Sequence, residues 1–126
     1  MQSLLFSFQG RTNRASFWLV HVAMWVVTAV VSGIVVGDAV LSADPEAALR
    51  SVDAVPGIIL AVVYVLMIWI GLAVGVKRWH DRNKSGWWVL IALVPVIGGL
   101  WYLIECGFLP GTMGPNAYGP DPLAQA

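Results

Sequence analysis

The sequence predicts an all-α membrane protein, a single domain (residues 1–126) with three transmembrane helices, and three observations lead there. Hydrophobic residues make up 59% of the chain and charged residues only 11%, less than half of the roughly 25% usual in a soluble domain. The apolar residues fall into three long blocks, and most of the charges gather between those blocks. A soluble fold of this size needs a polar surface that this composition cannot supply, whereas a bilayer tolerates such blocks.

Taken in order, the chain starts with an apolar lead, Leu4, Leu5, Phe6 and Phe8, which is too short to cross a bilayer and is expected to lie in the interface. The first block, Ala15–Gly37, and the second, Ala54–Val76, contain no Asp, Glu, Lys or Arg. About 20 residues of helix cross the hydrocarbon core, and in lipid the backbone must satisfy its own hydrogen bonds, so each block should be helical. The first block is too long, and its lead too polar, for a cleaved signal peptide. The third block, Trp87–Ile104, spans if Glu105 reaches the interface, which puts the third helix at about 87–107. Pro95 removes a backbone donor and clashes with the Ile91 carbonyl, so a kink is expected there. A re-entrant hairpin turning near Pro95, Gly98 and Gly99 is the alternative, disfavoured because each arm is too short to cross.

The basic residues set an orientation. Arg11 and Arg14 precede the first block, and Lys77, Arg78, Arg82 and Lys84 follow the second; only Arg50 lies in the first loop, among Asp38, Asp44, Glu46 and Asp53. Lys and Arg mark the cytoplasmic side, which predicts an N-terminus inside and a tail outside. Phe17, Trp18, Trp79, Trp87 and Trp88 stand where aromatic rings would anchor at the headgroups.

The chemistry is sparse. His80-Asp81 has the makings of a metal or proton site, but the other histidine, His21, lies inside the first block, and no Gly-x-Ser-x-Gly, phosphate loop or Cys/His cluster occurs. Cys106 is the one cysteine, which excludes an internal disulfide and reads as a small hydrophobe before a reactive or lipidated thiol. Arg11, Arg14, Arg78, His80 and Asp81 form a candidate charge cluster at the cytoplasmic rim. The plain reading of Lys77, Arg78, Arg82 and Lys84 is an orientation signal touching lipid phosphates; the sharper one is a clamp in which Asp81 pairs with Arg78, or with Arg11 or Arg14. Arg82 and Lys84 are expected to matter less. Gly71 and Gly75 in the second block, and Gly33 and Gly37 in the first, have the Gly-x-x-x-Gly spacing of helix contacts, between the spans or across a homodimer. Mid-span polar residues are Thr28, Ser32 and Tyr64, with no ionisable pathway for a transporter. In the tail, 110–126, four prolines and three glycines within Pro110–Pro122 forbid helix. Pro110, Gly111, Asn116, Tyr118, Gly119 and Asp121 suggest an ordered turn.

Three segments are more specific than composition demands: Phe8-Gln9-Gly10-Arg11-Thr12-Asn13-Arg14, then Arg78-Trp79-His80-Asp81 with Ser85-Gly86-Trp87-Trp88, and Pro110-Gly111-Thr112-Met113-Gly114-Pro115-Asn116-Ala117-Tyr118-Gly119-Pro120-Asp121-Pro122. Together they resemble the bacterial inner-membrane family known as domain of unknown function 805, from about Leu5 to Pro122. The resemblance implies a small multi-pass protein of the bacterial inner membrane and brings no activity, substrate or cofactor. The expected role is non-enzymatic, structural or interactive; a subunit of an oligomeric channel or transporter, or a lipid-headgroup binder, is the alternative. The expected partner is the lipid bilayer, with a homo-oligomer or another membrane protein left open. Nothing in the sequence points to nucleic acid, a metal or a cofactor.

Overall fold

In a computed structural model the described residues are 2–50 and 53–124, so the ends of the expected tail and domain, and positions 51 and 52, lie outside them. They form helices α1 (Gln2–Phe6), α2 (Arg14–Leu41), α3 (Pro45–Arg50) and α4 (Ala54–Asp81). A 3₁₀-helix follows (Gly86–Leu93), then α5 (Ile97–Tyr102), which runs into a π-helical turn (Leu103–Phe108). Among the described residues the one piece of β geometry is an isolated bridge between Asn116 and Gly119. The long helices α2 and α4 are apolar enough to cross a membrane, and only 6% and 11% of their most apolar stretches is buried. A soluble core helix would hide that surface; here Leu19, Ile34, Val55 and Val65 point outward.

The chain divides into two compact units, Val22–Ile68 and the pairing of Met1–His21 with Trp69–Ala126. In the first, Ser32 Oγ and Tyr64 Oη lie 3.3 Å apart, a polar pair satisfied within the helices. Asp44 caps α3 by accepting the Ala47 N–H at 3.1 Å, and Pro45 stands at the first helical position, where its missing N–H costs nothing. Gly33 and Gly37 face open space: a Cβ on either would meet nothing within 4 Å. Gly75, in the other unit, is close-packed, but against the third block. A Cβ there would stand 2.5 Å from Tyr102 Oη and 3.2 Å from Val89 Cγ2. Gly75→Leu should therefore cost about 1–3 kcal/mol by overpacking, while Gly33→Leu should leave the melting temperature in detergent unchanged. Equal shifts for both would remove this distinction.

Two expectations about the second unit need correction. The segment after the second apolar block is helix as far as Asp81, five residues beyond Val76, because its end is well capped. Asn83 takes a left-handed conformation (φ 57°), with Asn83 N–H on the His80 carbonyl at 2.9 Å and Lys84 N–H on the Trp79 carbonyl at 3.0 Å. That is the Schellman closure, and asparagine is one of the few side chains that tolerate its left-handed position.

The third block is also not one helix kinked at Pro95. It breaks there: Val96 has φ 62°, and Gly98 lies so close to the Ile91 carbonyl oxygen that a Cβ would overlap it. The two arms turn back on each other. The outgoing arm starts beside α4, where a Gly86 Cβ would stand 2.6 Å from Val76 Cγ1 and 3.1 Å from His80 Nε2. The returning arm ends at α4 again, with the Cys106 carbonyl accepting from Arg78 Nε at 2.7 Å. Trp79, expected as an interfacial ring, is instead fully buried between the arms, 5.8 Å from the Trp88 ring and 6.4 Å from that of Tyr102.

Candidate functional site

The most buried part of this unit is unusually polar. Thr12, Lys77, Arg78, Asp81 and Glu105 are buried together with Phe17, Ala73, Val74, Trp79 and Cys106. Buried charges must be paired, and the partners come from four separate stretches of chain.

The chain enters through Gly10, whose φ of 87° favours glycine. Asn13 then caps α2, its Oδ1 accepting the Ser16 N–H at 2.8 Å. That geometry delivers Arg11 to Asp81. Arg11 Nε donates to Asp81 Oδ1 at 3.0 Å, with Nη2 2.9 Å from the same oxygen as an ion pair, while Arg78 Nη1 donates to Oδ2. The side chains of Arg11, Arg78 and Asp81 are 1%, 0% and 5% exposed, so this is a desolvated triad. The remaining donors reach the tail: Arg11 Nη1 to the Gly114 carbonyl at 2.6 Å, Arg11 Nη2 to that of Thr112, and Arg78 Nη2 to that of Leu109.

The tail also closes the end of α4. A helix C-terminus leaves its last carbonyls without intrahelical donors. Thr112 supplies two, N–H at 2.8 Å and Oγ1–H at 2.7 Å, both to the Asp81 carbonyl. Asn116 Nδ2 donates to the His80 carbonyl at 2.9 Å, and Thr12 N–H to that of Lys77 at 3.3 Å. Gly111 is required because a Cβ there would overlap the Asp81 carboxylate. Asp121 organises the turn, accepting from Gly114 N–H and Leu123 N–H, each at 2.9 Å. The Leu123 and Gly114 N–H groups, with Arg11 nearby, hold its carboxyl below the usual carboxylate range.

Of the candidate residues, Arg11, Arg78 and Asp81 meet. Arg14 is exposed and turns to the Phe108 carbonyl at 2.9 Å instead. His80 stands outside the triad: its Nδ1 lies 3.1 Å from the Gly10 carbonyl oxygen, and its ring stacks on Tyr118 at 4.0 Å and 4°. Arg82 and Lys84 also have a carboxylate partner, Glu105, which each binds at 2.8 Å. Glu105 was legible only as the charge ending an apolar block. Its pairing depends on the return of the third block to α4.

The tail, expected on the opposite side from the N-terminal lead, packs against that lead. Arg11 bonds tail carbonyls directly, so the lead, the end of α4 and the tail lie together. Chemically the triad is suited to holding. Both Asp81 oxygens face guanidinium N–H groups, which is the arrangement of a structural ion pair rather than of a group exchanging protons with a ligand.

The family described as "Protein of unknown function (DUF805)" matches residues 5–120. The uncharacterized protein YiiR of Escherichia coli strain K12 is 30% identical over 145 residues, covering 96% of this chain and 89% of YiiR. The inner membrane protein YhaH of that strain is 31% identical over 117 residues, covering 91% of this chain and 86% of YhaH. The inner membrane protein YhaI is likewise 31% identical, over 91% of this chain and 85% of its own length. No solved structure matches the chain. The segments that build the triad and close α4 all fall within the matched residues, and the chain belongs to the DUF805 family.

Proposed function

We propose that this chain is a non-enzymatic protein of the bacterial inner membrane with a structural or interaction role, built from two spans and a re-entrant hairpin. Support for the membrane comes from the exposed apolar faces of α2 and α4 and from the inner-membrane names of YhaH and YhaI. The observation that carries the architecture is that the third block begins and ends at the same end of α4. Arms of roughly eight and twelve residues in helix reach about 12–18 Å, less than the hydrocarbon core of about 30 Å. Six of the seven Lys and Arg residues lie at this end, which supports a cytoplasmic position for it through the positive-inside bias.

The consequence is a protein whose N-terminal lead, hairpin and tail form one charge-stapled platform on the cytoplasmic face. Such a platform offers a rigid surface to another protein or to the membrane. Fusions after Ala126 test this directly. A reporter active only in the cytoplasm should work there, and one active only in the periplasm should fail. The opposite result restores three crossings and removes the hairpin. Crosslinking in native membranes separates the roles: a defined partner supports the platform, and a closed ring of this chain supports an oligomeric pore instead.

A further inference from the structure

A cavity of about 510 Å³ opens beside the triad, lined by Arg14, Trp18, Gly107, Met113, Asp121 and Leu123 among others. Its walls differ in character. Trp18 fixes one wall, its Nε1–H donating to the Gly107 carbonyl at 3.0 Å and its ring 5.8 Å from that of Phe108. Asp121 forms part of another with both oxygens already on backbone N–H groups. Asp81 reaches the cavity too, but its charge is matched by two guanidinium groups.

The cations at this end are unequally matched. Arg11 and Arg78 share Asp81, and Arg82 and Lys84 share Glu105. Among the described residues Arg14 has no carboxylate partner, only the Phe108 carbonyl on Nη1. Six basic side chains stand with three carboxylates at this end, so the surroundings of the cavity are positive, and the arginine that lines it has no carboxylate partner among the described residues. Arg14 also opens α2, where its charge adds to the positive end of a long helix. A phosphate is the complementary group: it accepts from guanidinium in charge-assisted pairs. The Trp18 ring lines the same cavity, and its chain neighbour Leu19 is an exposed apolar side chain, so the phosphate should carry apolar chains.

We propose that this cavity holds the phosphodiester headgroup of a glycerophospholipid, with the phosphate on Arg14 and the headgroup substituent towards Asp121. The assignment rests on the proposed membrane reading, in which this end lies at the lipid interface. It relocates headgroup recognition from Arg11 and Arg78, which are internally bonded, to Arg14.

The test uses the full chain in detergent, titrated with dihexanoyl phosphatidylglycerol, with dihexanoyl phosphatidylethanolamine and with inorganic phosphate, and reads retained ligand by native mass spectrometry. One phospholipid per chain should be retained. Arg14→Gln should weaken retention about tenfold or more, the loss expected of a charged hydrogen bond, and Arg14→Lys should recover part of it. Arg50→Gln, in an exposed pair with Glu46, should bind as the parent does. The C-terminal reporter is read for the same variants and should not change with Arg14→Gln, so a lost ligand and a lost architecture give different results. Retention by Arg14→Gln equal to the parent overturns the site. An equal loss in Arg50→Gln reduces it to general electrostatics, and saturation by inorganic phosphate at the same concentration assigns it to a free anion instead.

Discussion

Asp81→Ala should be the most damaging substitution of a charged side chain, lowering stability in detergent by about 3–5 kcal/mol, the cost of breaking a buried ion pair from one side. The reason is what remains. Arg11 and Arg78 are 1% and 0% exposed, and without the carboxylate two guanidinium groups would face each other with no anion between them. A domain stable by about 5–15 kcal/mol cannot absorb this without a large drop in melting temperature and in abundance. Asp81→Asn should fall between: its amide oxygen can serve one arginine, but its NH₂ opposes the other. Arg11→Lys should also be costly, because an ammonium cannot reproduce the fork that grips Asp81 while reaching the Thr112 and Gly114 carbonyls. Arg50→Ala gives the contrast. Its pair with Glu46 is 78% and 84% exposed, and such surface pairs contribute about 0–1 kcal/mol. The measurement is thermal unfolding of each purified variant in one detergent. An Asp81→Ala protein that melts with the parent would show that the triad contributes no stability.

The parts that were legible in the sequence were those that one local rule dictates. Helices α2 and α4 follow from uninterrupted apolar runs, since lipid leaves the backbone no other way to bond itself. The meeting of Asp81 with an arginine from before the first span followed from the shared side of two charged segments. The details depended on non-local closeness. Asn83 announced the end of α4 only as an asparagine two residues before Ser85-Gly86, although a left-handed cap is a known use of that residue. Gly111 stood in the turn-rich tail and Gly86 just before the third apolar block. Their requirement comes from the Asp81 carboxylate and from Val76, neighbours 30 and 10 residues away in the chain. Gly33 and Gly37 show the converse: the Gly-x-x-x-Gly spacing is easily met by chance in a small-residue span, and here it faces open space. The hairpin was legible only as the disfavoured alternative, from Pro95, Gly98 and Gly99 within five residues. The break in the helix falls at Val96 with positive φ, which no propensity for a β-branched residue would suggest.

Gly98→Ala should disrupt the hairpin, whereas the same change one residue on should not. A Cβ at Gly98 would overlap the Ile91 carbonyl oxygen and stand 2.9 Å from Val94 Cβ. The first of these is backbone, in an arm anchored by the bond from Val94 N–H to the Ile91 carbonyl at 2.9 Å, so it cannot rotate aside as a side-chain tip could. Relief requires the arms to separate, and separation loosens what they enclose: Trp79, wholly buried, and the Cys106 carbonyl that receives Arg78. The expected cost is about 1–3 kcal/mol for a forced methyl group, and more if the Arg78 bond is lost with it. At Gly99 a Cβ meets nothing within 4 Å, and the residue lies within α5, where alanine is favoured over glycine by up to about 1 kcal/mol. Gly99→Ala should therefore match or exceed the parent in thermal stability. The pair also bears on the architecture. If the third block crossed the bilayer as one kinked helix, both glycines would lie on a continuous helix and both alanines would be tolerated alike. Opposite effects at neighbouring positions, read as melting temperature and as the activity of a cytoplasmic reporter after Ala126, are the signature of arms that turn back on each other. Equal tolerance of the two alanines would return the third block to a single span.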